Sequence, residues 1–557
     1  MKKSILSASI AAMIGGLGFA GLANAGVHVP AGNAANALSI NEAGIGHILV
    51  VPYFTTQGSN ATLLNITNTD TVNGKLVKVR FRGASNSDDI FDFTLALSPG
   101  DVWAAKVSQG ADGRSQLETA DKSCTLPAFV ATQKNSFPTS RLNPAFTDVQ
   151  KANETREGYV EILAMANIFK AGVADQAVGG ITPATSPVFT AIKHVNGVAP
   201  CTATVLDTFK TDTTALTGAA TSAAAKGLTN PTGGLMANWT IIDVVKTATF
   251  SGAATAIRAT GAGAADVNAN LVFFPQSDDL ATTTAGLNIN ELTADPLLRS
   301  ANRVATDAAT GSVGAVTSTT PFIAASYYDL PDLSTPYVSA LSATAPIEQA
   351  HELTRVIAAK KVVNEYLTTT SIAATTDWVF SMPTRRYNVA VNYRFTSPLS
   401  TNSRVYTDWN ASTTAAVSNF FSAANTSLVN GQVCVAADTG ANGVNQWDRE
   451  ETTTSSQFVI SPGTVTSIRF CGETSVLAIN NGTNTASGSL SASVALQNLN
   501  VNANEGWISL GTSGLALRTG VGPEVFSTTA TKGLPVLGAA FAKSTSFGAV
   551  WPHRFTR

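Results

Sequence analysis

The stretch from Ala61 to Val107 constrains the chain most, because its apolar residues recur at alternate positions. In Leu76–Arg82, Val77, Val79 and Phe81 fall on one side, while Lys78, Arg80 and Arg82 fall on the other. Successive side chains of a strand point to opposite faces, so this period specifies a half-buried strand and excludes a helix. Alternation resumes in Phe91, Phe93, Leu95 and Leu97, with Asp92 and Thr94 turned the other way. Ala61–Thr67 and Val102–Val107 read as two further strands. Asn73-Gly74 is expected to supply the positive backbone angles of a tight hairpin. Ala84–Asp89 and Ser98-Pro99-Gly100-Asp101 read as the next turns. Short strands with turns at this spacing predict an antiparallel β-sandwich of immunoglobulin-like type.

The remaining chain continues mainly β. Strands are expected at Gly158–Met165, Trp239–Val245, Asn270–Phe274, Trp378–Met382 and Tyr387–Phe395. Residues 211–234, rich in Ala, Thr and Gly, read as a linker or long loop between an N-terminal sandwich (26–210) and a C-terminal β-rich region (235–557). Gly252–Val267 reads as a second loop. A minor helical element is expected over 347–366, with Pro346 at its start and Leu353, Val356, Ile357, Ala359 and Val363 as its apolar stripe. The segment Ile460-Ser-Pro-Gly463 echoes Leu97-Ser-Pro-Gly100, which hints at a second sandwich from about residue 400.

The N-terminus reads as a secretory signal. Lys2 and Lys3 precede an apolar run broken by Ser and Gly, and Ala23-Asn24-Ala25 offers a cleavage site after Ala25. The run is too rich in small polar residues for a membrane anchor, and no later segment reads as a transmembrane span. The mature chain is expected at the cell surface or in the extracellular space rather than in the periplasm. There, the four cysteines can form disulfides. Three pairings are open; Cys124–Cys201 with Cys434–Cys471 is preferred because each closes within one half of the chain. No CxxC spacing or histidine pair accompanies them, which argues against zinc.

Charged residues make up only 13% of the chain, against about 25% in average soluble domains. Weak charge lowers the repulsion between molecules and so tolerates self-association. No basic stripe interleaved with aromatics is present, which excludes nucleic acid as a partner.

No catalytic machinery is legible, and the chain is not expected to be an enzyme. His351-Glu352 begins like a zinc-protease motif, but Arg355 stands where the second histidine would be. Gly511-Thr-Ser-Gly514 is too short for a nucleophile elbow. The five histidines, His28, His47, His194, His351 and His553, are scattered. No cofactor is expected. Calcium is the single metal with candidates, since Asp88, Asp89, Asp278, Asp279, Asp329 and Asp332 cluster in turn-like contexts, although none has EF-hand spacing.

Taken in order, Thr62-Leu-Leu-Asn-Ile-Thr-Asn68, Val77-Lys-Val-Arg-Phe81, Asp92–Pro99 with Asp101-Val-Trp103, and Ser123-Cys-Thr-Leu-Pro127 resemble a group of poorly characterised exported cell-surface proteins of Gram-negative bacteria. Asn364-Glu-Tyr366, Thr376-Asp-Trp-Val379 and Pro383-Thr-Arg385 resemble a second landmark of that group. The resemblance implies a surface location and an N-terminal sandwich, and carries over no catalytic residue. Composition adds the expectation of a structural protein that assembles with itself into a surface layer, with outer-membrane components as further partners. A surface adhesin or ligand-binding module is the alternative, and an exported hydrolase a third reading.

Overall fold

A computed structural model describes residues 26–28, 35–170, 186–211, 220–261, 266–273, 346–391, 425–439, 442–450, 468–482, 486–501, 503–514, 533–545 and 547–557. It also describes the short pieces 276, 305–307, 312–313, 332–335, 337–338, 393, 404–406 and 421. These residues form a mainly β protein with several antiparallel sheets and few helices.

The alternating N-terminal segment builds two sheets that face each other. One contains Ala37–Ile40, Thr255–Thr260, Ile48–Thr55, Glu157–Ile168, Gly74–Gly83, Asp89–Leu97 and Cys124–Leu126, in that order. The other runs Asn135–Ser136, Ser115–Glu118, Val102–Gln109, Asn60–Asn68, Leu235–Asp243, Ala248–Ala253. Between them lies a core to which the first sheet gives Val77, Val79, Phe81, Phe91, Phe93 and Leu95, and the second gives Leu64, Ile66, Trp103, Trp239 and Phe250. Phe137 stacks on Phe91 at 4.7 Å and meets Phe81 edge-on at 5.1 Å. Such aromatic pairs add about 0.5–1.5 kcal/mol beyond their burial.

Several expectations change at this level. Asn73-Gly74 makes no hairpin, because Asn60–Asn68 and Gly74–Gly83 belong to opposite sheets and the chain crosses between them. The crossing is held by Asp70, which accepts from the backbone N–H groups of Val72 and Asn73. Glycine is required at position 74 for closeness: a Cβ there would sit 2.5 Å from Ile192 Cδ1 and 2.8 Å from the Leu97 carbonyl oxygen. The Ser98–Asp101 turn forms as expected, with Gly100 at φ +71°.

Gly252–Val267 is not a loop, since Thr255–Thr260 pairs with both Ile48–Thr55 and Ala37–Ile40. Nor does 211–234 divide two folding units. Leu235–Asp243, beyond it, pairs along its whole length with Asn60–Asn68, before it. Within its described part, Ala223 and Leu228 lie in the core.

The expected helix is shorter than its pattern, spanning Pro346–Ile357. Lys361–Leu367 is a strand, because Val362, Asn364 and Tyr366 alternate inward against Lys361 and Glu365. Two β-branched valines in succession favour that outcome over a continued helix.

The C-terminal core starts with this strand rather than near residue 400. One sheet runs Val444–Asp448, Glu505–Gly511, Lys361–Leu367, Arg554–Thr556. A second runs Leu496–Val501, Thr474–Asn481, Thr375–Ser381, Leu537–Lys543, Gly548–Pro552, and a third joins Thr426–Val429, Gln432–Ala436 and Arg469–Cys471. Val362, Trp378, Phe380, Phe470 and Ile508 meet in their shared core. The echo at Ile460–Gly463 lies outside the described residues.

The two halves form one body. Phe541 reaches into the N-terminal core, 6.1 Å from Tyr53 and 5.5 Å from Phe250. Asn60 donates to the Leu490 carbonyl at 2.7 Å, and Glu157 accepts from the backbone N–H groups of Ser493 and Val494. Disulfides Cys124–Cys201 and Cys434–Cys471 close as preferred, and no free cysteine is present among the described residues. Two disulfides mark a chain that matures in an oxidising compartment outside the cytoplasm. No described helix is long and apolar enough to cross a membrane.

Candidate functional site

Two places concentrate chemistry-bearing side chains: a buried ionic seam between the halves, and an open tryptophan cleft on the C-terminal sheet.

The seam begins with the charged side of Gly74–Gly83. That strand is buried on both faces, not one. Arg80 stands between Glu161 and Asp92 in the sheet register, and Lys78 stands next to Thr94. Lys78 donates to Asp92 and, at 2.7 Å, to Gln276. Arg80 donates to Asp89 at 2.6 Å. Over these rows lies a cover from far along the chain. Arg386 donates to Glu161 at 3.2 Å and to Asp332 at 3.1 Å, while Arg82 faces the same two carboxylates at 3.5 and 3.7 Å. Beside it, Arg385 donates to Glu473 at 2.5 Å. The cations Lys78, Arg80, Arg82, Arg385 and Arg386 are thus matched by Asp89, Asp92, Glu161, Asp332 and Glu473, all buried.

Burial governs the titration of this region. It pushes the Lys78 ammonium below its ordinary value against the opposing pull of Asp92. It raises the Glu473 carboxyl although Arg385 pulls the other way. Asp88, buried and accepting from the Tyr393 hydroxyl at 2.7 Å, is pushed up to about 7. Glu154 is also raised to about 7 by burial. It lines a cavity of about 710 Å³ beside the helix Asp148–Glu154, which a Thr147 capping box starts.

Asp88, Asp89 and Asp332 therefore sit in no solvated turn. Their oxygens accept from Tyr393, from Arg80, and from Arg386 with Ser334, respectively. Asp278, Asp279 and Asp329 lie outside the described residues, as does the expected cleavage site. Among the described residues, no group of three or more His, Cys, Asp or Glu side chains is placed to hold a metal.

His47 and His553 are buried in the interior. His47 Nδ1 accepts from the Ala259 N–H and Nε2 faces the Pro231 carbonyl, while burial lowers its pKa to about 3. His553, also lowered to about 3 by burial, lies between Asn364 and the Val379 carbonyl. His194 stands 3.5 Å from Asp101. Glu352 pairs with Arg355 at 3.6 Å along its helix, so that fragment of a motif closes on itself. Ser513 and the Gly514 N–H both donate to Asp438, which pins the short Gly511–Gly514 turn.

The cleft is not legible in the sequence, because its residues come from separate strands far apart along the chain. Trp447, Trp507 and Glu365 are direct neighbours across Val444–Asp448, Glu505–Gly511 and Lys361–Leu367. The two indoles stack with centroids 3.8 Å apart and planes 9° apart. A space of about 580 Å³ opens on the far side of Trp507, with Trp551, Glu365, Glu505, Arg449 and Arg554 around it. The one signal that could have found it is the pair Gln446-Trp447 and Gly506-Trp507, each an indole within a short polar strand.

Comparison with family models, with curated proteins and with solved structures returns no match to this chain.

Proposed function

We propose that this is an exported structural protein of the cell surface whose body associates with copies of itself into a layer or similar array. The observation that carries the reading is where the charge lies. The chain has only 35 basic and 37 acidic residues in 557, and at least seventeen of them are buried among the described residues. A surface already poor in charge is poorer still once the interior has taken its share. Repulsion between molecules falls accordingly, and polar surfaces rich in Thr, Ser, Asn and Ala can approach closely. The interior ion pairs and two disulfides favour a rigid unit, as a repeating layer requires. The titratable groups of the seam are held by one another, which favours structure over turnover.

Sedimentation and negative-stain imaging of the purified mature chain test this, with and without calcium. Sheets or large oligomers should form, and raising the salt should weaken them little, because few exposed charges are there to be screened. A monomer at every protein, salt and calcium concentration overturns the reading.

A further inference from the structure

The cleft beside Trp507 has a use that self-assembly leaves unassigned. Trp507 is 38% exposed, an uncommon position for an indole on a surface so rich in small polar residues. Its ring is nonetheless fixed, because Trp447 covers one face. The opposite side is turned towards the Glu365 strand, where the cleft opens. Trp551 stands at the other wall, its backbone carbonyl accepting from the Asn364 side chain at 2.8 Å. A pre-positioned aromatic plate loses little entropy when a ligand settles on it.

Around the plate the polar groups carry both signs. Glu365 and Arg554 are exposed and Asp448 is half-buried, and Arg449 faces Glu505 at 3.5 Å with both side chains largely open to water. Carboxylates accept from hydroxyl groups and guanidinium groups donate to them, so the rim matches a ligand whose polar groups both donate and accept. A cation would meet three carboxylates, Glu365, Asp448 and Glu505, but also two guanidinium groups, and the indoles do not close into the cage that quaternary ammonium ligands need. A nucleic-acid strand would meet Glu365 and Glu505 with its phosphates. An apolar ligand would strip water from five charges without repaying them.

We infer that this cleft binds a neutral oligosaccharide, with one sugar ring laid on Trp507 and its hydroxyl groups bonded to Glu365, Glu505, Arg449 and Arg554. The open form suits a chain that enters at one end and leaves at the other. Binding of this kind is independent of whether the protein assembles.

Titration of the purified mature chain with cellohexaose, chitohexaose, maltohexaose and phosphocholine tests it, read by indole fluorescence and by calorimetry. At least one hexasaccharide should bind saturably. Trp507→Ala should weaken it by about tenfold or more, equivalent to ~1.4 kcal/mol. Glu365→Gln, a conservative surface change, should weaken it severalfold with an unchanged circular dichroism spectrum, and decides the matter if Trp507→Ala misfolds. The inference is overturned if no hexasaccharide saturates below about 10 mM. It is overturned equally if phosphocholine alone binds, or if Glu365→Gln binds every sugar as the unaltered chain does.

Discussion

The strand Gly74–Gly83 has two faces that are equally buried and chemically opposite. Val77, Val79 and Phe81 join an aromatic core with Phe91, Phe93 and Phe137. Lys78, Arg80 and Arg82, on the other side, are just as inaccessible, and Arg82 meets the Glu161 and Asp332 carboxylates that Arg386 also holds. The apolar face is stabilised by leaving water and tolerates any shape that fills it. Its ionic counterpart gives up hydration on both partners, and stays stable only while every charge keeps its match. What the contrast teaches is that burial alone does not say what a surface needs. One face needs volume, the other needs pairing.

Damage should cost the two faces alike, and repair should separate them. Phe91→Ala should lose about 3–5 kcal/mol of stability to the cavity left behind. Glu473→Gln should lose about 3–5 kcal/mol, because the Arg385 guanidinium is then buried without its counter-charge. The difference emerges in the double variant Arg385→Met with Glu473→Leu, which should recover most of the second loss. Urea denaturation of the four proteins measures this. A double variant no more stable than Glu473→Gln would mean that the seam acts through its hydrogen-bond geometry and not through charge balance.

The apolar face was legible in the sequence and the ionic face was not, for a physical reason. Alternation in Val77, Val79 and Phe81 reports a face that leaves water, since apolar residues gathered on one side of a strand are stabilised by burial. The same alternation assigned Lys78, Arg80 and Arg82 to water, because isolated charges belong there. Lys78 and Arg80 pair with nearby Asp92 and Asp89, but the groups that close the seam, Asp332, Arg385, Arg386 and Glu473, lie about 250 residues or more beyond Arg82, where no local pattern marks them as partners. Pairing of Cys124 with Cys201 and of Cys434 with Cys471 was readable from proximity in the chain. Strand order was not: Asn60–Asn68 beside Leu235–Asp243 is a long-range choice that turns and periodicity leave open. The tryptophan cleft failed for the same reason, since its walls meet only once distant strands are assembled.

A second test sharpens the comparison through pH. Asp88 lies at the edge of the ionic face with its carboxyl raised to about 7 by burial, whereas an unfolded Asp titrates near 3.9. The folded chain thus holds a proton that the unfolded chain has lost between those values. Its contribution to stability is full below about pH 4 and lost as the pH climbs through 7. Asp88→Asn cannot lose that proton, and its side-chain oxygen can still accept from Tyr393. The variant should match the parent near pH 4 and become more stable than it by about 2–4 kcal/mol at pH 8, at roughly 1.4 kcal/mol per unit of separation. Buried His47 and His553 run the other way, since each is lowered to about 3 and its contribution, present above about 6.5, fades as the pH falls towards 3. Denaturation midpoints of parent and variant across pH 4–8 give the difference free of the histidines. A constant gap would remove Asp88 as the titrating group.

The smallest effect is expected where the same chemistry meets water. On the outer face of the six-stranded sheet, Lys106 lies 2.5 Å from Glu118, a contact as close as Arg385 to Glu473, yet the two side chains are 41% and 32% exposed. Both ions of the exposed pair keep hydration when the contact breaks, and Lys134 already stands 3.2 Å from the same carboxylate as a substitute. Lys106→Ala should therefore change stability by less than about 1 kcal/mol, against several for Glu473→Gln, at nearly identical distance. The ratio between the two is the quantity of interest, since length is held constant and only solvent access differs. Urea midpoints at low and high salt measure it, and the small Lys106 term should shrink further as salt screens it. Equal losses at the two sites would show that contact distance, and not the water excluded around it, sets what an ion pair is worth in this protein.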